Sequence, residues 1–474
     1  MKWMIFSPEL YYLLVSLWFL ALSMLGPENS RRDYFSALLL AAGGVLVCLL
    51  AVRSEGLLFS SAYQIDLFSQ VFKVLLALGL FLIVCLCPNV RGIREKHHSD
   101  FYLLLFVCTL ALIMLVSSVH LLAMYVSLEL SSYSLYILVA LRKDKDLAVE
   151  AGIKYFLIGI TASAVMLFGL ALLYATTQVA HVDDMFRVIP AVIDKPIVIL
   201  GLLLTLSGFF FKLAVFPFHF WAPDVYQGAT NQVTAYIATA SKVAAIALLI
   251  RMIAPAGSAA AGNYLAHALV VLAIVSMTVG NLAAIVQQDI KRLLAYSTVA
   301  HAGYLLIGIL SMNPFGYGAV IFYAAALLLM KFTAFLVIVE VADDGRNIRI
   351  EELAGLHQRS PLLAMALMVS IFSLAGIPPT IGFSAKLFVF LAAMEQGYFT
   401  LVLIAMINVL ISLYYYLLVL KAAYLLKPNA SLPVLQLSPP LKLLAGLLIF
   451  ALVGLGFYPA FLLELAEAAV RALV

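Results

Sequence analysis

Residues Gly208 to Lys242 read GFFFKLAVFPFHFWAPDVYQGATNQVTAYIATASK, with two lysines, Lys212 and Lys242, set in long apolar runs on either side of a proline-broken turn. An ionisable side chain at bilayer depth is costly, so each lysine marks a candidate functional site and needs a partner. The best partner in the sequence is Glu129, in LLAMYVSLELSSYSLYILVA (121–140), with Ser127, Ser131, Ser132 and Ser134 around it. Apolar or small residues flank Glu129 and Lys242 on both sides over close to half a bilayer span. The alternative is that these charges sit at helix ends and snorkel to water.

Outward from that stretch the chain has one character. Of 474 residues, 65% are hydrophobic and 11% charged, which excludes an ordinary soluble domain. Runs long enough to cross a bilayer recur throughout, and backbone in lipid must bond to itself, so the expected fold is an all-α polytopic membrane protein. The length rule gives about fourteen spans, with cores near 9–26, 34–52, 66–88, 101–118, 120–141, 154–176, 197–217, 228–254, 264–286, 292–311, 317–340, 362–394 with a break, 399–426 and 440–468. The first run, Leu10 to Leu25, ends in GPENSRR without a small-residue cleavage pattern, so it is expected to stay as a span.

Charge and cysteine usage narrow the function. A formal net charge of +4 without a basic stripe interleaved with aromatics gives no nucleic-acid footprint. Cys48, Cys85, Cys87 and Cys108 fall in apolar runs or at their edges and lack metal-ligand spacing, so they read as inert thiols. No glycine-rich nucleotide fingerprint, iron–sulfur cysteine set or haem signature occurs, so no redox cofactor or metal is expected in this chain.

The loops alternate in charge. Arg31, Arg32, Arg91, Arg94, Lys96, Arg142, Lys143, Lys145, Lys291, Arg292, Arg346, Arg349, Arg359, Lys427 and Lys442 fall on one face if the spans are counted correctly. The other face carries Lys2, Arg53, Arg187, Lys195, Arg251 and Arg471. By the positive-inside rule the first face is cytoplasmic and both termini lie outside.

Two spans are interrupted by proline, at Phe216-Pro217 to Pro223 and at Gly376 to Gly382 within SLAGIPPTIGFSAKLFVF (373–390). Proline removes a backbone donor and opens the helix. These are spans seven and twelve, the fourth of each unit if spans four to eight and nine to thirteen are two copies of one five-helix element. An odd number of crossings makes consecutive copies point in opposite directions, the inverted-repeat plan whose ion sites lie at broken helices. The corresponding division is 1–99 for an N-terminal three-helix segment, 100–256 and 257–427 for the repeats, and 428–474 for a last helix. Lys386 follows the second break and supplies that copy with a buried lysine as Lys212 does the first, while Lys331, in AAALLLMKFTAFLVI (324–338), is a further candidate. His219 beside the first break and His301 in YSTVAHAGYLL (296–306) are candidate proton relays, with a packing role as the alternative. Removing an ammonium from water favours its neutral form and an adjacent carboxylate favours the charged one. Moving Glu129 relative to Lys212 therefore switches proton affinity, and a row of such groups linked by water and hydroxyls passes protons along the membrane plane.

These residues carry a resemblance. PFHFWAPDVYQGA (217–229) followed by ATASK (238–242), with YVSLELSSYSLYILVA (125–140) before and QDIKRLLAYSTVAHAGYLLIG (288–308) after, resembles the antiporter-like membrane subunits of bacterial NADH:quinone oxidoreductase, respiratory complex I, and subunit N in particular through PDVYQG. The resemblance runs from about Leu103 to Leu420 and implies fourteen helices with inverted repeats in the bacterial inner membrane. It also implies that Glu129 and Lys212 control the charge state, Lys242 connects, and Lys386 leads toward the periplasmic exit. Electron transfer would belong to partner subunits holding NADH, FMN, iron–sulfur clusters and quinone, and the neighbours would be sister subunits M and L and the small membrane subunits K and J. The rival expectation is a subunit of a multisubunit cation/proton antiporter driven by the membrane gradient. Two positions depart from the family pattern: Thr230-Asn231-Gln232 replaces a Pro-Thr-Pro-like run, and Lys331 stands where subunit N commonly has a small or polar residue.

Overall fold

A computed structural model describes residues 5–26, 28–88, 90–143, 145–256, 260–342, 344–427 and 434–473. Several apolar segments start as helices where a polar residue offers the first turn an acceptor. Asn29 accepts from Arg32 N, Asp66 forms a capping box with Ser69, and Asp289 accepts from Lys291 N and Arg292 N. The helices in order are α1 Ser7–Leu25, α2 Ser30–Ala51, α3 Leu67–Cys85, α4 His98–Ser117, α5 Leu121–Ala140 and α6 Lys145–Thr177. The seventh span is α7a Pro196–Leu213 and α7b Trp221–Gly228, and the eighth is α8a Asn231–Ala238 and α8b Ala240–Ile253. Then come α9 Ala260–Ile285, α10 Ile290–Leu310, α11 Pro314–Val341, α12a Pro361–Ala375, α12b Ile381–Glu395, α13 Phe399–Leu425, α14 Pro439–Phe457 and α15 Ala460–Arg471. A two-stranded hairpin, β1 Gly56–Leu58 and β2 Tyr63–Ile65, joins α2 to α3.

Among the described residues thirteen helices are long and apolar enough to cross a membrane, and the broken α12a and α12b make the fourteenth span. The connections meet at two faces. On one, Lys143 N donates to Gly92 O at 2.8 Å, Arg142 Nη1 donates to Gln227 O at 2.7 Å, and Ile290 N donates to Ile348 O at 3.2 Å. On the other, Val119 N donates to Ala62 O at 3.1 Å and Val182 N donates to Val119 O at 3.0 Å. The arginine-bearing loops at 91–94, 142–143, 291–292 and 346–349 thus share a face, as the alternation of spans requires. Lys2, counted for the other face, lies outside the described residues.

The centre is made by α8a, α8b, α10 and α11, whose span windows are buried almost throughout, whereas α1, α2 and α14 present Leu14, Trp18, Leu39, Leu50, Leu443 and Phe450 outward. Such exposed apolar side chains are what a lipid-facing shell requires. Inner helices touch closely through glycine: a Cβ on Gly169 of α6 would collide with the α7a backbone, and one on Gly280 of α9 with α10.

Both proline-broken spans close in one way. At the end of α7a, Ala214 takes a left-handed conformation and Val215 N reaches back to Phe210 O at 2.9 Å; at the end of α12a, Gly376 does the same and Ile377 N reaches Phe372 O at 2.9 Å. Each is a Schellman-type ending with proline following shortly after. The eighth span is found over Asn231–Ile253, with a bend at Thr239 (φ −118, ψ −88), whose hydroxyl donates to Ala235 O at 2.7 Å, a side-chain back-bond of the kind that bends helices. One expectation needs correction. The last apolar run, expected as one helix over 440–468, divides at Tyr458-Pro459 into α14 and the separate α15, because Pro459 has no N–H to continue the ladder.

Candidate functional site

Breaking α7a frees carbonyls at its end, and their partners define the first half of the site. Lys242, from α8b, donates from Nζ to Lys212 O at 2.6 Å and lies 4.9 Å from the Trp221 ring centroid. Trp221 Nε1 takes Phe211 O at 3.0 Å. A cation at a helix C-terminus answers the negative end of the dipole, so the interruption itself fixes Lys242 in the interior. The Lys212 side chain turns to α5, where Nζ donates to Ser131 Oγ at 2.7 Å and Ser132 Oγ at 3.1 Å. Glu129, one residue pair earlier on α5, accepts instead from the Ser163 hydroxyl of α6. It stays within electrostatic reach of Lys212, but no ion pair joins them. Glu129 and Lys212 thus stand in a separated arrangement, each held by serine.

In the second half, Lys386 of α12b donates to Leu374 O at 2.9 Å and Ala375 O at 2.8 Å, the last carbonyls of α12a, with the Tyr304 ring centroid 5.1 Å away. It therefore answers a broken helix end as Lys242 does, and is not the counterpart of Lys212, which precedes its break. Lys331 of α11 is fully buried and donates to Leu294 O at 2.9 Å and Ser297 Oγ at 2.7 Å. A polar chain continues from there: Ser297 to Tyr416 at 2.7 Å, Tyr416 to His301 Nε2 at 3.3 Å, and His301 Nδ1 to Tyr323 at 2.7 Å. His301 lies within electrostatic reach of both Lys331 and Lys386, and Lys242 of both Lys212 and Lys331.

Glu129, Lys212, Lys242, Lys331, His301 and Lys386 are each at most 7% exposed and form one interior row across the two halves. His219 is buried beside Phe216 and Phe220 in the first break, and its Nδ1 has no hydrogen-bond partner among the described residues. It does not join the row. Sequence reasoning missed Ser163, Trp221, Ser297, Tyr416, Tyr323 and Tyr304; the signal was there, since hydroxyls and indoles in apolar helices need partners. The departure at 230–232 is absorbed locally: Thr230 caps α8a and Gln232 Nε2 donates to Leu86 O at 3.3 Å.

Fold and site together define an antiporter-like membrane protein, all helical, with broken helices and a buried row of ammonium groups. The family described as NADH:quinone oxidoreductase/Mrp antiporter, TM, matches residues 118–412. NADH-quinone oxidoreductase subunit N 2 of Syntrophobacter fumaroxidans is 66% identical over 474 residues, covering 100% of both chains, and the protein of that name from Opitutus terrae is 40% identical over 97% of this chain and 96% of its own. A chain of respiratory complex I from Thermus thermophilus superposes with a TM-score of 0.84 at 33% identity, covering 97% of this chain and 99% of that one. A chain of the Mrp complex from a Dietzia species gives 0.87 at 21% identity, covering 100% and 98%, a likeness of fold alone. The chain belongs to the NADH:quinone oxidoreductase/Mrp antiporter family, within it to subunit N of NADH-quinone oxidoreductase.

Proposed function

We propose that this subunit moves protons through the row of Glu129, Lys212, Lys242, Lys331, His301 and Lys386, driven by electron transfer from NADH to quinone in other subunits of complex I. The observation that carries the reading is the separated arrangement of Glu129 and Lys212, both buried and both on serine hydroxyls within reach of each other. A buried acid and ammonium that can meet or part form a two-state element. When Glu129 approaches, Lys212 holds its proton; when it withdraws to Ser163, Lys212 gives the proton up toward Lys242. Lys242 and Lys386 stay docked on helix ends, so they receive and return protons without leaving their places. Lys331, Ser297, Tyr416 and His301 supply the hydroxyl and imidazole steps between them.

In this reading the repeats span 100–256 and 257–427, the arginine-rich loops face the cytoplasm and both ends of the chain lie on the periplasmic side of the inner membrane. Sister subunits M and L and the small subunits K and J are its neighbours in the membrane arm, and FMN and the iron–sulfur clusters reside with the peripheral partners. The test is proton uptake by the purified complex in proteoliposomes during NADH oxidation. Glu129→Gln and Lys212→Ala are expected to assemble and to pump fewer protons per NADH oxidised; wild-type pumping by either assembled variant overturns the proposal.

A further inference from the structure

At the face opposite the arginine-rich loops lies a second knot of buried charge that the row does not use. Lys73 Nζ of α3 sits 2.5 Å from Glu9 Oε1 of α1, with the two side chains 0% and 1% exposed. Tyr63 of β2 donates its phenol to the same Oε1 at 2.5 Å. Beside them Arg251 of α8b donates from Nη2 to Asp66 Oδ1 at 2.9 Å and Oδ2 at 3.0 Å. The titratable and charged groups facing the knot are Glu9 and Tyr12 from α1, Cys48 from α2, Asp66 at the N-cap of α3, Lys73 within α3, Tyr63 from β2 and Arg251 from α8b. Two carboxylates and two cations balance.

A knot serving only as a staple between helices would close on itself, because an unmet polar atom inside a protein is costly. This one does not. Glu9 Oε2, Gln70 Oε1 and both Nε and Nη1 of Arg251 are buried without a hydrogen-bond partner among the described residues. Acceptors and donors left over in one place are the lining of a hydrated site. Glu9 Oε1 is committed to Lys73 and Tyr63, which leaves Oε2 as the open carboxylate oxygen of the knot. Arg251 lies nine residues beyond Lys242 on α8b, about 13 Å along the axis at the helical rise. The family match begins at residue 118, so Arg251, inside it, reaches across to Asp66 outside it and ties the first half to the N-terminal helices.

We propose that Glu9, Lys73 and Tyr63 form a second buried proton-binding site, tied through Asp66 and Arg251 to the far end of the Lys242 helix, a branch by which protons leaving the row on the Lys242 side reach the periplasmic face. It rests on the proton-translocation reading above. A proton given up on the Lys242 side binds Glu9 Oε2, Lys73 remains an ammonium, and release restores the Glu9 carboxylate and its ion pair.

The test uses the whole complex in proteoliposomes with Glu9→Gln, Tyr63→Phe and, for comparison, Lys212→Ala. Glu9→Gln is expected to lower protons moved per NADH, by less than Lys212→Ala does, and to remove a deuterium-sensitive carboxyl band from infrared difference spectra. Tyr63→Phe keeps the ion pair, so it decides the matter if Glu9→Gln fails to assemble; it slows proton release about fivefold, the weight of one buried hydrogen bond. Wild-type pumping in Tyr63→Phe, or in assembled Glu9→Gln with the carboxyl band unchanged, overturns the inference while a pumping loss in Lys212→Ala leaves the parent reading standing. Wild-type pumping in Lys212→Ala removes both.

Discussion

The two halves of the buried row solve one problem with different chemistry. Around Lys212 there is a carboxylate, Glu129, parked on Ser163, and two serines that hold the ammonium while the acid is away. Among the described residues no carboxylate touches Lys331 or Lys386; their partners are helix-end or backbone carbonyls, Ser297 and the Tyr304 ring. Among those residues only Lys212 therefore has an anion within reach whose displacement would change its preference for its proton. In the proposed pathway the second half passes on what the first decides, its groups being linked by hydrogen bonds and fixed in place. In the proposed pathway, asymmetry of this kind makes one end of the row the switch and the other the conductor.

The most severe way to break the comparison is to give the second half an acid. Ser297→Asp sets a carboxylate against Lys331 Nζ, where the hydroxyl now stands at 2.7 Å. An opposite charge at such a distance changes proton affinity by about ten- to a thousandfold. The expected outcome is an assembled complex that oxidises NADH with its proton pumping nearly abolished, read in proteoliposomes. If Ser297→Asp pumps as the wild type does, Lys331 is not a station.

A smaller effect is expected from cutting the conductor without adding charge. Tyr416→Phe removes the hydroxyl that bridges Ser297 and His301 and leaves the ring packed in place. Loss of a single buried hydrogen bond is worth about 1 kcal/mol, or about a fivefold slowing of transfer. The pumping rate at saturating NADH measures it, and an equal effect from His301→Gln places both groups in one chain.

The comparison also shows what a sequence discloses. Pro217, Pro378 and the apolar flanks of Glu129, Lys212, Lys242 and Lys386 mark breaks and buried charges because proline and charge are each locally costly in a membrane helix. What the sequence does not reveal is pairing. Nothing in QVTAYIATASK announces a bend at Thr239, since a threonine back-bond is common in helices and only the Lys242 contact with Lys212 O shows its use. Lys212 and Lys386 look alike as lysines near a proline, and only their positions before and after the break separate switch from cap. Glu9 and Lys73 escape notice for the same reason: each is one charge in an apolar run, and their meeting across the hairpin is a tertiary fact.

Next in size come the rings beneath the two capping lysines, and they sharpen the contrast. Trp221 both faces Lys242 and donates to Phe211 O, so Trp221→Leu loses a cation–π contact and one of the two hydrogen bonds that Phe211 O accepts, the Ala214 amide keeping the other, about 1 kcal/mol for the hydrogen bond alone. Tyr304→Leu takes the ring from Lys386 but leaves both helix-end carbonyls on the ammonium. The thermal stability of the purified complex is expected to fall for Trp221→Leu by more than for Tyr304→Leu. The reverse order would mean that the second break, not the first, depends on its aromatic cover.

The least effect belongs to an acid–cation contact outside the buried row, which sets the scale for the others. Glu352, in the loop of the arginine-rich face, accepts from Arg349 N at 2.9 Å and from the Arg346 guanidinium. Partial burial pushes its carboxyl up, but those two arginines more than offset this, so it is held below the ordinary glutamate range. A depressed carboxylate adds stability that is present above its unfolded value and is lost as pH falls through the folded one. Glu352→Gln is therefore expected to loosen this loop by less than about 1 kcal/mol at neutral pH, and to match the wild type once the medium is acid enough to protonate Glu352. Hydrogen exchange at the Arg349 amide, measured across that pH range, reads it directly. A loss at neutral pH as large as that of Trp221→Leu would erase the distinction between charge held in water and charge held in the row.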